Sequence, residues 1–149
     1  MPQFWQVFIH VVWGTKKRKH LLRSPIEKVV HHAIRDTARE LGLVPIIVNS
    51  AWNHTHSLVS WSPGCLIEDA VREFKRESYE RVEALRSQEG VRVPELEWQT
   101  GHSAFSVSRG DLEDVRQYIA DQKDRHRNNQ TNYDYEGWLA TYPDDSKCG

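Results

Sequence analysis

Residues 4–13 run FWQVFIHVVW, dense in β-branched and aromatic side chains at both odd and even positions. Apolar residues on both alternating faces suit a strand covered on both sides, so this stretch predicts a central strand that ends at Gly14 and the basic run after it. Ser24-Pro25-Ile26-Glu27 reads as a capping box with proline at the first helical position, and Ile26, Val29, Val30, Ala33, Ile34, Thr37, Ala38 and Leu41 then recur at helical spacing. Gly42 is the natural stop. Residues 43–49 predict a short strand, with Pro45 pointing to an edge strand or a strand's first residues. A turn at Trp52-Asn53 leads to a third strand over about residues 54–61.

Ser62-Pro63-Gly64 breaks the chain, and a second long helix follows with Ile67, Val71, Phe74, Ser78, Val82 and Leu85 on one face and charges on the other. After a loop at Gly90, two short strands are expected around residues 93–99 and 104–108. Gly110-Asp111 opens a third helix, with Asp111, Glu113 and Asp114 where the helix dipole favours acids. The predicted order is β-α-β-β-α-β-β-α. Helices interleaved among antiparallel strands, without a parallel doubly wound pattern, indicate an α+β, ferredoxin-like antiparallel β-sheet with helices packed on it.

The chain has 149 residues, 38% hydrophobic and 28% charged, which is enough apolar content for one folded domain and excludes a disordered chain. A domain over residues 1–130 and an acidic polar tail over 131–149, with Tyr133, Tyr135 and Trp138 as docking points, is the expected organisation. The sequence shows neither a membrane-length apolar run nor a signal segment, so a soluble, cytoplasmic protein without a membrane partner is expected. Two cysteines, Cys65 and Cys148, exclude a disulfide framework and a cysteine-based metal site. The formal net charge of -1 argues at first against a nucleic-acid binder. It is an average over unlike regions, however. Residues 1–60 carry eight Lys or Arg against three acids, whereas residues 131–149 carry four acids against Lys147. Near-neutrality therefore excludes only a protein that coats polyanions indiscriminately.

Two features can carry chemistry. His54-Thr55-His56 lies on a predicted strand, where side chains two apart share a face with Cα atoms roughly 6.6 to 6.8 Å apart, so both imidazoles can reach one metal ion. Two strand histidines at a wet surface have the same signature. On the third helix, Leu112, Val115, Tyr118, Ile119, Gln122 and His126 fall within an arc of roughly 120° at about 100° per residue, so Tyr118 and Gln122 border or join the inward face. Core packing alone would also account for that pair.

A sheet-borne His-x-His followed, after a helix, by Tyr-x-x-x-Gln resembles the HUH-type single-tyrosine transposases, closest to the short bacterial members associated with repetitive extragenic palindromes. The resemblance spans residues 3–130 and is carried by five ordered blocks: FIHVVWGTK from Phe8, NHTHSLV from Asn53, EFKRES from Glu73, WQTGHSAFSVS from Trp98 and VRQYIADQ from Val115. It implies that Tyr118 is the nucleophile, and that His54, His56 and Gln122 hold a divalent metal, Mg2+ or Mn2+. The reaction implied is cleavage and rejoining of single-stranded DNA beside hairpins, through a covalent 5′-phosphotyrosine that leaves a free 3′ hydroxyl. Such chemistry needs no ATP, because the phosphotyrosine preserves the bond energy for rejoining, while a metal polarises and orients the scissile phosphate.

Family members commonly place Asp before the first histidine, an apolar residue between the two and Leu after the second. This chain has Asn53, Thr55 and Ser57 there. Loss of the carboxylate at Asn53 is expected to remove a group that orients a ligand. A homodimer is one assembly the resemblance allows, with the tyrosine helix supplied by the chain itself or by its partner. Lys16, Lys17, Arg18 and Lys19 after the first strand, and Arg72, Lys75, Arg76 and Arg81 on the second helix, are candidate phosphate contacts, although a solvated amphipathic face explains the helix equally well. Trp52, Trp61 and Trp98 are candidate stacking platforms for unpaired bases, in competition with core packing, and Trp98 is favoured because it lies in a resembling block. His10 lies near the site without an assigned role. The alternative to an active transposase is a catalytically decayed or domesticated protein with the same fold that only binds hairpin nucleic acid.

Overall fold

A computed structural model describes residues 3–127 of the chain. The acidic segment 131–149, with Tyr133, Tyr135 and Trp138, lies outside the described residues. Four strands, β1 (Val7–Gly14), β2 (Val44–Ser50), β3 (His54–Trp61) and β4 (Ser103–Val107), form one antiparallel sheet in the order β2-β3-β1-β4. The helices are α1 (Ile26–Glu40), α2 (Ile67–Arg86), α3 (Leu112–Ala120) and the short α4 (Gln122–Arg127). Up to β4 this is the β-α-β-β-α-β order and strand arrangement of a ferredoxin-like sheet.

Burial on both sides of β1 and β3 divides the core. Ile9, Val11, Trp13, Val59 and Trp61 pack with α1 and α2 residues such as Val30, Ile34, Val71, Phe74 and Val82. The Trp13 and Phe74 rings stack 6.0 Å apart at the centre of this layer. Leu58 instead packs with Val107 and with Val115 and Ile119 of α3. Strand alternation thus assigns odd positions of β1 and β3 to the α1/α2 face and even positions to the α3 face. Arg81 joins the two long helices through Asp36, at 2.7 Å.

Several local expectations change. The N-terminus of α1 has no side-chain cap, because Glu27 does not reach back to Ser24. Its carboxylate accepts from Lys123 Nζ at 2.9 Å, a charged partner brought by α4. At the other end Gly42, with φ +79°, closes the helix as expected: the Leu43 amide bonds the Ala38 carbonyl and the Gly42 amide bonds the Arg39 carbonyl. Phe4 and Trp5 precede β1 and are exposed. Pro45 sits in edge strand β2, beside a register shift between Pro45 and Ile47. Residues 93–99 form no ladder strand. They run along the end of β1, with Lys16 N–H donating to Glu97 O and Gln99 N–H to Gly14 O, each at 2.9 Å. Among the described residues no helix is long and apolar enough to cross a membrane.

His31 on α1 is buried, with Nε2 2.9 Å from Ser50 Oγ at the end of β2. Burial, reinforced by the charges of Lys123 and Arg35 and by His32, lowers its pKa to about 3. The unfolded chain therefore binds a proton here that the fold refuses, so this contribution to stability is full above about pH 6.5 and is lost as pH falls toward 3. Urea denaturation between pH 7.5 and 4.5 should show wild type losing stability faster than His31→Gln; parallel curves would show that His31 is not held neutral.

Candidate active site

β3 brings His54 and His56 to the face that α3 covers, with ring centroids 5.0 Å apart and both side chains buried. Antiparallel pairing sets Gly14 opposite His54, Val12 opposite His56 and His10 opposite Leu58. His10 therefore shares the histidine face, and its Nε2 lies 2.8 Å from His56 Nδ1. Three imidazoles stand in a row, because the His10 and His56 rings are also 5.0 Å apart. His10 is a strand residue expected near the site without a role, and its bond to His56 depends on cross-strand register.

Tyr118 of α3 meets this row edge-on, with its ring centroid 6.1 Å from that of His56 in the same chain. Gln122 opens α4 after the helix breaks at Asp121, where the amide N–H bonds both Gln117 O and Ile119 O. The two residues still lie one turn apart, since Gln122 Nε2 donates to Tyr118 O at 3.2 Å. Gln122 Oε1 is buried with no hydrogen-bond partner among the described residues. A buried amide oxygen left in that state is costly unless something else satisfies it. Asn49 of β2, absent from the candidate residues, ties the segment to the sheet: its Nδ2 donates to Ile119 O at 2.9 Å and Ala120 O at 3.2 Å. Arg125 was also missed. Its guanidinium carbon sits 4.4 Å from the Tyr118 ring centroid and sets a positive charge beside the phenol.

The departure at Asn53 keeps a hydrogen-bond acceptor beside His54 and loses its charge. Its Oδ1 accepts from His54 Nδ1 at 2.7 Å, so an amide oxygen orients the ring as a carboxylate oxygen would. No group of three or more His, Cys, Asp or Glu side chains placed to hold a metal occurs among the described residues. The imidazoles of His54 and His56 do come together, and Gln122, joined to Tyr118 by its amide nitrogen, has a buried amide oxygen without a partner among the described residues.

The candidate DNA contacts separate into two regions. Lys16–Arg18 form a short 3-10 turn after β1, anchored to the β2–β3 turn by Thr15 N–H donating to Asn53 O at 2.9 Å, so the basic run sits at the His54 end of the sheet. Arg18 donates to the Gln99 side-chain oxygen, and the two groups meet over Gly14, where a Cβ would displace them. Lys19 pairs with Glu97 at 3.5 Å. Arg72, Lys75 and Arg76 belong to α2, on the opposite face of the sheet from the histidines. Arg72 pairs with Asp69, Arg76 with Glu73 and Glu80, and Lys75 Nζ donates to the Gln99 and Gly101 carbonyls. Trp98 is half-buried: its indole N–H donates to Ser78 at 3.0 Å and its ring packs edge-on against Trp13. Trp61 is buried in the core.

Residues 3–122 match the family described as "Transposase IS200 like". The ISDra2 transposase TnpA of Deinococcus radiodurans is 26% identical over 129 residues, covering 81% of this chain and 87% of that protein. Among solved structures, a D. radiodurans R1 protein assigned as a transposase superposes with a TM-score of 0.61 at 23% identity, over 83% of this chain and 95% of its own. A REP-associated tyrosine transposase bound to a REP hairpin superposes with a TM-score of 0.59 at 14% identity, over 88% and 74%. At these identities the structural likeness is one of fold, the α+β fold of the HUH transposases.

Asn49→Ala removes both bonds that hold the end of α3 and leaves two carbonyls to solvent or strain. It should cost about 1–2 kcal/mol in denaturant unfolding and speed amide exchange in residues 118–123; unchanged exchange there would show that Asn49 does not hold this segment.

Proposed function

The chain belongs to the IS200-like transposase family, and from that premise we propose that it cleaves and rejoins single-stranded DNA beside hairpins, with Tyr118 as nucleophile. As a transposase it is a DNA-processing enzyme. The observation that most supports the finer reading is the meeting of Tyr118 with His56 inside one chain, 6.1 Å between ring centroids, with Gln122 bonded to the Tyr118 carbonyl and its amide oxygen buried without a hydrogen-bond partner among the described residues. Within this reading one chain holds every reacting group, and a homodimer is an assembly of complete sites.

His54, His56 and Gln122 would hold the divalent metal, Mg2+ or Mn2+. The donor set fits: a histidine with its proton on Nδ1 carries its lone pair on Nε2, and Asn53 Oδ1 selects that tautomer at His54. His10 acts likewise on His56 when His56 Nδ1 is the donor of their shared hydrogen bond. Bound there, the metal supplies Lewis-acid polarisation and orientation of the scissile phosphate. Tyr118 attacks phosphorus through its phenolic oxygen and loses its proton, the P–O3′ bond breaks, and the departing 3′ oxygen takes up a proton. The tyrosyl 5′-phosphate remains until a 3′ hydroxyl attacks it, re-forms the phosphodiester and returns the tyrosine. Arg125 contributes charge beside the incoming phosphodiester. Tyr118 is only 5% exposed, so opening a path to its hydroxyl belongs to substrate binding.

The REP-associated relative is bound to a hairpin, which supports hairpin DNA as the partner here. Lys16 and Lys17, at the His54 end of the sheet, are the better-placed phosphate contacts, and the α2 cations are the weaker ones because Arg72 and Arg76 have carboxylate neighbours and Lys75 is bonded to two carbonyls.

With labelled hairpin DNA carrying a single-stranded flank and Mn2+ or Mg2+, wild type should form an SDS-resistant adduct. Tyr118→Phe should lose it while still binding the DNA. Absence of an adduct in wild type with either metal would favour the non-catalytic hairpin binder. By calorimetry, Asn53→Asp should bind Mn2+ about tenfold more tightly and His54→Ala should bind it far more weakly; unchanged affinities would remove the metal from these residues.

A further inference from the structure

Beside the candidate site, and outside every residue placed in it, lies a cavity of about 360 Å3 lined by Arg23, Ser24, Glu27, Lys28, Trp52 and Lys123. Its lining adjoins the site along the chain at two points: Trp52 precedes His54 by two residues and Lys123 directly follows Gln122. The walls are held in place. Leu22 N–H donates to Trp52 O at 2.9 Å, and Lys123 Nζ binds both Glu27 at 2.9 Å and Ser50 O at 3.2 Å.

Three cations face one carboxylate here, and that carboxylate is already matched by Lys123. Neither Arg23 nor Lys28 forms an ion pair among the described residues. Trp52 is half-buried rather than packed into the core, with the Arg23 guanidinium 6.0 Å from its centroid and the His20 ring also at 6.0 Å. A π surface with cations at its edge matches one ligand chemistry well: a flat aromatic base attached to an anionic phosphate. Entry of a base between indole and guanidinium needs about 7 Å, twice the ~3.5 Å contact distance, so Arg23 has only to move outward by about 1 Å.

We propose that this cavity binds one unpaired nucleotide of the single-stranded flank, with its base stacked on Trp52 and its phosphate met by Arg23 and Lys28. The proposal rests on the single-strand-cleaving reading above and deepens it. A base within a duplex is stacked and paired on both sides and cannot enter, so the cavity selects single-stranded DNA beside the scissile phosphate. Three of its six lining groups come from residues 23–27, and Trp52 was singled out in the sequence as a stacking candidate.

The test is equilibrium binding in EDTA of the full chain to a labelled hairpin with a single-stranded flank, replacing flank nucleotides one at a time by abasic sites. In wild type, one abasic position should weaken binding about tenfold. In Trp52→Ala the same replacement should have no further effect, in Trp52→Phe sensitivity should persist, and a hairpin without a flank should bind wild type and Trp52→Ala alike. Wild type insensitive at every flank position, or equally sensitive in Trp52→Ala, overturns the proposal. If Trp52→Ala does not fold, the Arg23→Gln, Lys28→Gln double variant reads the same cavity. Its slope of log affinity against log salt should fall by about 1.4 on the flanked hairpin and stay unchanged on the flankless one; an unchanged slope on both overturns the proposal. The adduct assay on the same preparation separates the two readings. An adduct with no flank sensitivity refutes the cavity alone, flank sensitivity with no adduct refutes the catalytic reading alone, and neither refutes both.

Discussion

The alternation of β3 between two covered faces is the constraint on which the rest depends. Val59 and Trp61 point into the α1/α2 layer, while His54, His56 and Leu58 point toward α3. A slip of one residue in the β1–β3 register would exchange those faces, putting imidazoles into the layer of Trp13 and Phe74. The apolar side thus specifies the histidine side: burial of Ile9, Val11, Trp13, Val59 and Trp61 fixes the register, and the register delivers the histidines.

That arrangement places polar groups where burial is costly, and the site is built around reducing the cost. His10 bonds His56, Asn53 bonds His54, and the Gln122 amide nitrogen bonds a helix carbonyl. Among the described residues the Gln122 oxygen has no hydrogen-bond partner, and neither do the Thr55 and Ser57 hydroxyls on the far side of the strand. A polar layer of this kind gives up stability for function, and the dense α1/α2 layer offsets the loss. Asn49 and Lys123 then carry the geometry across from the edge strand and α1 to the segment that holds Tyr118 and Gln122.

Much of this was legible in the sequence because it depends on short-range periodicity. The two long helices, β3, the Gly42 stop and the sharing of one face by His54 and His56 all follow from spacings of two, three or four residues. Other features depend on long-range partners. Residues 93–99 look like a strand because Leu96 and Trp98 alternate with Glu95, Glu97 and Gln99, yet they bury Leu96 against the core without finding a ladder. The Ser24–Glu27 capping pattern yields to Lys123, 96 residues away. His10, Asn49 and Arg125 could not be assigned roles, since each acts through a contact set by register or by helix docking. The single third helix expected over Tyr118 and Gln122 is two helices, and the relation between the two residues survives the break.

Charge follows the same division. Of the α2 cations that looked like a phosphate-binding face, Arg72 and Arg76 are engaged by carboxylates of their own helix and Lys75 by the Gln99 and Gly101 carbonyls, whereas the basic turn after β1 lies at the end of the sheet where His54 begins. Local placement, rather than net charge, decides where a polyanion can bind. The central claim is that nucleophile and histidine pair act within one chain. The most direct test mixes Tyr118→Phe with His56→Ala under conditions in which wild type forms its DNA adduct. No adduct is expected from the mixture, because neither chain holds a complete site; an adduct restored by mixing would show that the tyrosine serves a partner's histidines and would contradict the claim.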